Sequence, residues 1–154
     1  MSTKILIGDL LRKPNGTLGQ KDIRLIDFMI EPLAQTFSQD IPIDLLNFTD
    51  GVVAILPMLD IPVKLECHSC GKTYSANLET DTTETTFYLN PDDCPEVENP
   101  ELIERKHMEI DLMQTLTDAI ETAIPLNNYC ENCEDKEHSY QDTPLSNNPF
   151  KDLQ

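Results

Sequence analysis

Cys67-His68-Ser69-Cys70-Gly71-Lys72 is the stretch on which the rest of the chain turns. Two cysteines two residues apart, with glycine directly after the second, form the tight turn that supplies half of a tetrahedral thiolate site. Gly71 suits the positive φ that such a turn requires. Sixty positions on, Cys130-Glu131-Asn132-Cys133 repeats the spacing. Four sulfurs complete a structural zinc sphere and leave no open position for chemistry, so Cys67, Cys70, Cys130 and Cys133 are read as ligands to one structural Zn2+ ion. The alternatives are free thiols, thiols oxidised in pairs, or a redox dithiol. Neither pair is set in the βαβ pattern that a redox dithiol favours. His68 reads as an outward-pointing spacer, and His107 and His138 have no spacing that recruits them.

Working outward from the first pair, Val53, Ile55, Pro57, Leu59, Ile61, Val63, Leu65 and Cys67 place an apolar residue or cysteine at every odd position. Even positions change from apolar to polar after Met58. The pattern predicts a strand path buried on both faces at first and half exposed near the cysteines, with a bend or edge at Pro57 and Pro62. Beyond the pair, Tyr74, Ala76 and Leu78 alternate, which puts Cys67–Cys70 at the tip of an antiparallel hairpin. Thr82–Leu89 is a further strand. Upstream, Asp50-Gly51 is a hairpin signal after a strand over Ile41–Phe48. Earlier still, strands are expected at Lys4–Ile7 and Asp22–Phe28, a turn at Pro14-Asn15-Gly16, and a short helix over Glu31–Phe37 beginning at Pro32.

Downstream, residues 91–106 read as an acidic loop holding Cys94, a silent free thiol. A helix follows within 107–125, best defined from Asp111, where Asp111 and Gln114 fit a capping box. Its stripe of Met113, Leu116, Ile120, Ala123 and Ile124 is expected to pack on the sheet, and Pro125 stops it. Residues 126–154 carry the second pair and a polar tail, in which Phe150 and Leu153 could anchor one helical turn.

The fold class is therefore α+β: an antiparallel β-sheet core, one main helix in the C-terminal half packed on it, and a four-cysteine zinc clasp. The expected organisation is one domain over 1–154, with an N-terminal arm (1–40), a β region (41–90) holding the first pair, the loop, the helix and the tail. Apolar residues make up 39% of the chain and aromatics 6%, so that core is aliphatic.

Eleven Lys and Arg stand against 28 Asp and Glu, a net charge of -17. Residues 1–40 balance: Lys4, Arg12, Lys13, Lys21 and Arg24 offset Asp9, Asp22, Asp27, Glu31 and Asp40. All the surplus lies in 41–154. Such a body repels phosphate backbones and attracts basic partners. If RNA is touched at all, those five cations are the candidate contacts. Carboxylates abound, but no histidine, serine or glycine-rich loop surrounds them in a catalytic order, so no enzyme is expected. Near the start only Ile5-Leu6-Ile7 is apolar, and Val52–Leu59 is far too short to span a bilayer. A cytoplasmic protein is expected, with no membrane association.

Four features together resemble one family, the YceD-like proteins, described as large-ribosomal-subunit RNA accumulation proteins. They are Asp9-Leu10-Leu11-Arg12-Lys13-Pro14, Leu65-Glu66-Cys67-His68-Ser69-Cys70-Gly71-Lys72, Glu109-Ile110-Asp111-Leu112 with Ile124-Pro125-Leu126, and Asn148-Pro149-Phe150 with Leu153. Members often carry an arginine inside the first pair, where this chain has His68-Ser69. The resemblance implies a non-enzymatic bacterial or plastid factor needed for 23S ribosomal RNA to accumulate or mature. With the acidic body, it points to a basic ribosomal or assembly protein as partner, with ribosomal RNA contacted through the arm or indirectly. A zinc-ribbon transcription regulator that binds RNA polymerase or nucleic acid is the alternative. Such modules set basic residues beside the knuckles, and here only Lys64, Lys72 and Lys136 serve.

Overall fold

The computed structural model describes residues 2–93, 96 and 100–134. Cys94 and the tail from 135, with His138, Phe150 and Leu153, lie outside them. Strands β1 (Lys4–Leu6), β2 (Leu18–Ile30), β3 (Gln35–Phe48), β4 (Gly51–Leu56), β5 (Asp60–Glu66), β6 (Thr73–Glu79), β7 (Thr83–Tyr88), β8 (Glu101–Leu102) and β9 (Glu109–Asp111) are joined by helices α1 (Gly8–Leu11), α2 (Met113–Ala123) and α3 (Glu131–Glu134). The class is α+β, with mostly antiparallel sheets and one main helix. Where the sequence reads as one domain, the contacts group into two units: residues up to Val63 with Ala76–Pro125, and Lys64–Ser75 with the chain from Leu126.

The first unit is built on a five-stranded sheet, in the order β2-β3-β4-β7-β8. Its β3–β4 hairpin turns over Thr49-Asp50, with Phe48 opposite Gly51, where the Asp-Gly signal lies. One face of the sheet collects the aliphatic core: Ile23 faces Ile41, Leu45 faces Ala54, and Val52 faces Phe87. All six are at most 3% exposed. α2 lies over this sheet and touches β2 and β7. It buries Leu116 and Ile120 and joins its Thr115 hydroxyl to that of Thr85 at 3.1 Å. β1 and β9 form a small antiparallel pair with Ile5 opposite Ile110.

Several elements differ from the sequence reading. Residues 1–40, expected as an arm, supply β1, α1, β2 and the start of β3, and β2 pairs with β3 over most of its length. They are fixed by Asn47, whose buried amide donates to the carbonyls of Leu10 and Lys13 and accepts the N–H of Thr17. The helix expected over Glu31–Phe37 is only a 3₁₀ turn, Glu31–Leu33, closed by Ala34 at φ 52°. Pro32 does start it, but the alternation from Gln35 onward belongs to a strand, and pairing with β2 prevails over local helix propensity. The acidic loop contains β8, which pairs in parallel with β7. The helix of 107–125 begins only at Met113, because Glu109–Asp111 is drawn into pairing with β1.

The expected capping box is not formed, because Leu112 rather than Asp111 stands at the N-cap of α2. Asp111 accepts the N–H of Met113, whereas Gln114 donates forward to Asp118. The odd-position pattern also changes phase. In β4 the even residues Val52, Ala54 and Leu56 are buried, and after the break at Pro57–Leu59 the odd residues Leu59, Ile61, Val63 and Leu65 take over. Proline has no N–H for the ladder, which places the break there. Thr80 fastens it by exchanging two hydrogen bonds with Leu59, both 2.9 Å.

Candidate metal centre

β5 and β6 pair as a two-stranded sheet. Leu59 bonds to Thr80 at one end and Cys67 donates its N–H to the Lys72 carbonyl at the other, so the strands are antiparallel and the first knuckle is their tip. The turn is held by the Gly71 N–H on the Cys67 carbonyl at 2.9 Å, with Gly71 at φ 72°. A Cβ there would meet no neighbour, so backbone conformation alone calls for glycine. The second knuckle leads into α3, with the Cys133 N–H on the Cys130 carbonyl at 2.9 Å.

These two turns belong to the second unit, and they bring all four cysteines together. Their sulfurs lie within 4.8 Å of one another, and those of Cys70 and Cys130 are 3.7 Å apart. A zinc–thiolate distance of about 2.3 Å in a tetrahedron separates sulfurs by about 3.8 Å. The donor set therefore fits a tetrahedral, thiophilic ion. Cys67, Cys130 and Cys133 are buried and Cys70 is exposed, with Tyr74 and Tyr129 packed against the cluster.

The electrostatics support the same reading. Backbone N–H groups of Cys130 and Cys70 aim at the Cys67 sulfur and hold its pKa well below the usual thiol value, against the opposing effect of burial. Burial, reinforced by the other three thiols, pushes Cys130 up. Protein groups alone therefore stabilise a thiolate at Cys67 and disfavour one at Cys130. A divalent cation among the sulfurs would favour the thiolate at both.

His68 is outside this set. Its Nδ1 accepts the Asn128 N–H at 3.3 Å, its own N–H donates to the Asn128 carbonyl at 2.8 Å, and its ring meets Tyr129 edge-on. This clasp joins the two knuckles over sixty positions. The sequence held no local signal for it, because backbone pairing at that separation follows from the fold.

The five cations read as possible RNA contacts are spread over β1, the turn after α1, and β2. Lys4 pairs with Glu109 at 2.9 Å, Arg24 with Asp40 at 2.9 Å, and Arg12 with Asp9 at 3.4 Å. Glu104, His107 and Glu109 also come within 4.8 Å of one another. Their carboxylates are already engaged, Glu104 by the N–H groups of Lys106 and His107 and Glu109 by Lys4, so the group locks a turn. No described helix is long and apolar enough to cross a membrane.

A family model described as "Large ribosomal RNA subunit accumulation protein YceD" matches residues 58–151, a span that takes in both knuckles and α2. No curated protein and no solved structure matches the chain.

Proposed function

The chain belongs to the YceD family, large ribosomal RNA subunit accumulation proteins, and from that premise we propose that it is a non-enzymatic factor in large-subunit biogenesis. It supports 23S ribosomal RNA accumulation or processing by binding a basic ribosomal or assembly protein through its acidic surface. The observation that carries this is the family match together with a net charge of -17. Three of the five N-terminal cations are already paired with carboxylates, which leaves little positive charge for a phosphate backbone. Complementary charge speeds and selects association with a basic protein.

The cysteine cluster is structural in this reading. Cys67, Cys70, Cys130 and Cys133 would hold one Zn2+ ion, and that ion supplies folding energy to a unit assembled from two remote segments.

The test is in-cell cross-linking followed by a sucrose gradient. Co-sedimentation with precursor large-subunit particles is expected, with a basic protein cross-linked to the chain. Co-purification with RNA polymerase instead would favour the transcription reading. Tight, salt-sensitive binding of the isolated protein to 23S fragments at about 0.15 M salt would reject a protein partner.

A further inference from the structure

In the first unit a groove of about 280 Å³ runs between the end of β2 and the outer edge of α2. That is just short of the usual small-molecule site, about 300–1,000 Å³, and suits side chains better than a whole ligand. Phe28, Ile30 and Ile120 line it, each at most 3% exposed. Met29, 51% exposed, and Met113, 40% exposed, also border it. Met113 begins the apolar stripe of α2, yet it is not covered by the sheet as Leu116 and Ile120 are. Methionine is flexible and polarizable, and it adapts to the shape of an incoming side chain.

The rim is acidic on both sides. Glu31 stands on the turn after β2 and Glu121 on the last turn of α2, and both are exposed. No described cation forms an ion pair with either carboxylate. α2 itself contains no lysine or arginine.

We infer that this groove docks a basic, amphipathic segment of a protein partner, its aliphatic side chains against Met29 and Met113 and its lysines or arginines on Glu31 and Glu121. Long cationic side chains suit the site because their alkyl stems can lie on apolar walls while their heads reach a charged rim. The net charge weighs against the other occupants. A nucleic acid or a second copy of this chain would bring more negative charge to a rim that is already negative. The inference rests on the proposal that the partner is a basic assembly protein, and gives that partner a place to bind.

The direct test uses the full chain labelled at its methionine methyls and a short amphipathic peptide of lysine and leucine as probe. Met29 and Met113 should shift on titration, while Met58, 66% exposed and away from the groove, should not. Replacing the peptide's leucines with serine should abolish the shifts. The double variant Glu31→Gln/Glu121→Gln should bind about tenfold more weakly, the size of two partly screened ion pairs. Saturating peptide that leaves Met29 and Met113 unmoved, or equal binding of the serine peptide, would overturn the groove. A gradient separates this from the parent proposal. Wild type and double variant co-sedimenting equally with precursor particles would sink the groove and leave the proposal standing. A wild type absent from those particles would sink the proposal, and the peptide titration alone would then decide the groove.

Discussion

Asn47 shows how one buried side chain can govern a segment far from it. Its amide satisfies Leu10, Lys13 and Thr17, holding the turn that follows α1 against β3. In Asn47→Leu the Leu10 carbonyl would keep the Lys13 N–H and the Thr17 N–H would keep the Pro14 carbonyl, but the Lys13 carbonyl would lose its amide donor, and urea unfolding should register a loss of about 1–3 kcal/mol. Gly51 is constrained by space instead. A Cβ there would come within 1.9 Å of the Phe87 carbonyl oxygen, a backbone atom that cannot swing aside. Gly51→Ala should cost about 3 kcal/mol, the upper end for overpacking, and lower the thermal midpoint. Glu104 sets a pH dependence. The N–H of His107, then that of Lys106, holds its carboxyl below its ordinary value of 4.5, against partial desolvation. Because the folded value is the lower one, this stabilisation is present above 4.5 and is lost as pH falls through the lowered value. Acid unfolding of Glu104→Gln should be less steep there than that of the wild type.

Among the elements, α2 carries the clearest contrast between pattern and environment. Its stripe treats Met113 and Leu116 alike, but Leu116 is fully buried and Met113 is 40% exposed. Leu116→Ala should therefore cost about 2–5 kcal/mol and Met113→Ala within about 0.5 kcal/mol, both read from chemical denaturation. The stripe was legible because a period of 3.6 is a local property. The uncovering of Met113 was not, since it depends on where β2 ends. The same holds for β9, which has helical neighbours in sequence and becomes a strand only because β1 offers it a ladder.

For the whole molecule, the metal proposal makes a spatially selective prediction. Elemental analysis should find about one zinc ion per chain, as a four-thiolate site requires. Chelation should abolish the amide protection of His68, Gly71 and Cys133, whose hydrogen bonds hold the two knuckles. Leu45 and Val52, in the sheet of the other unit, should keep theirs, because that core is aliphatic and its strands pair without any sulfur. Hydrogen exchange with and without chelator reads both outcomes, and protection unchanged at Gly71 would remove the metal from the structural account.

What the chain declares by itself is local. Cysteine spacing, the glycine after Cys70, the Asp50-Gly51 turn and the alternation from Leu59 to Cys67 are all set by residues within a few positions of one another, where backbone sterics and side-chain period act directly. Tertiary structure alone decided what couples distant positions. It built residues 1–40 into the fold, joined His68 to Asn128, shifted the buried phase across Pro57, and left Met29 and Met113 exposed beside a groove that Glu31 and Glu121 also border. Each of these depends on which backbone groups and apolar faces find partners after the chain has folded back on itself, and no short-range pattern encodes that.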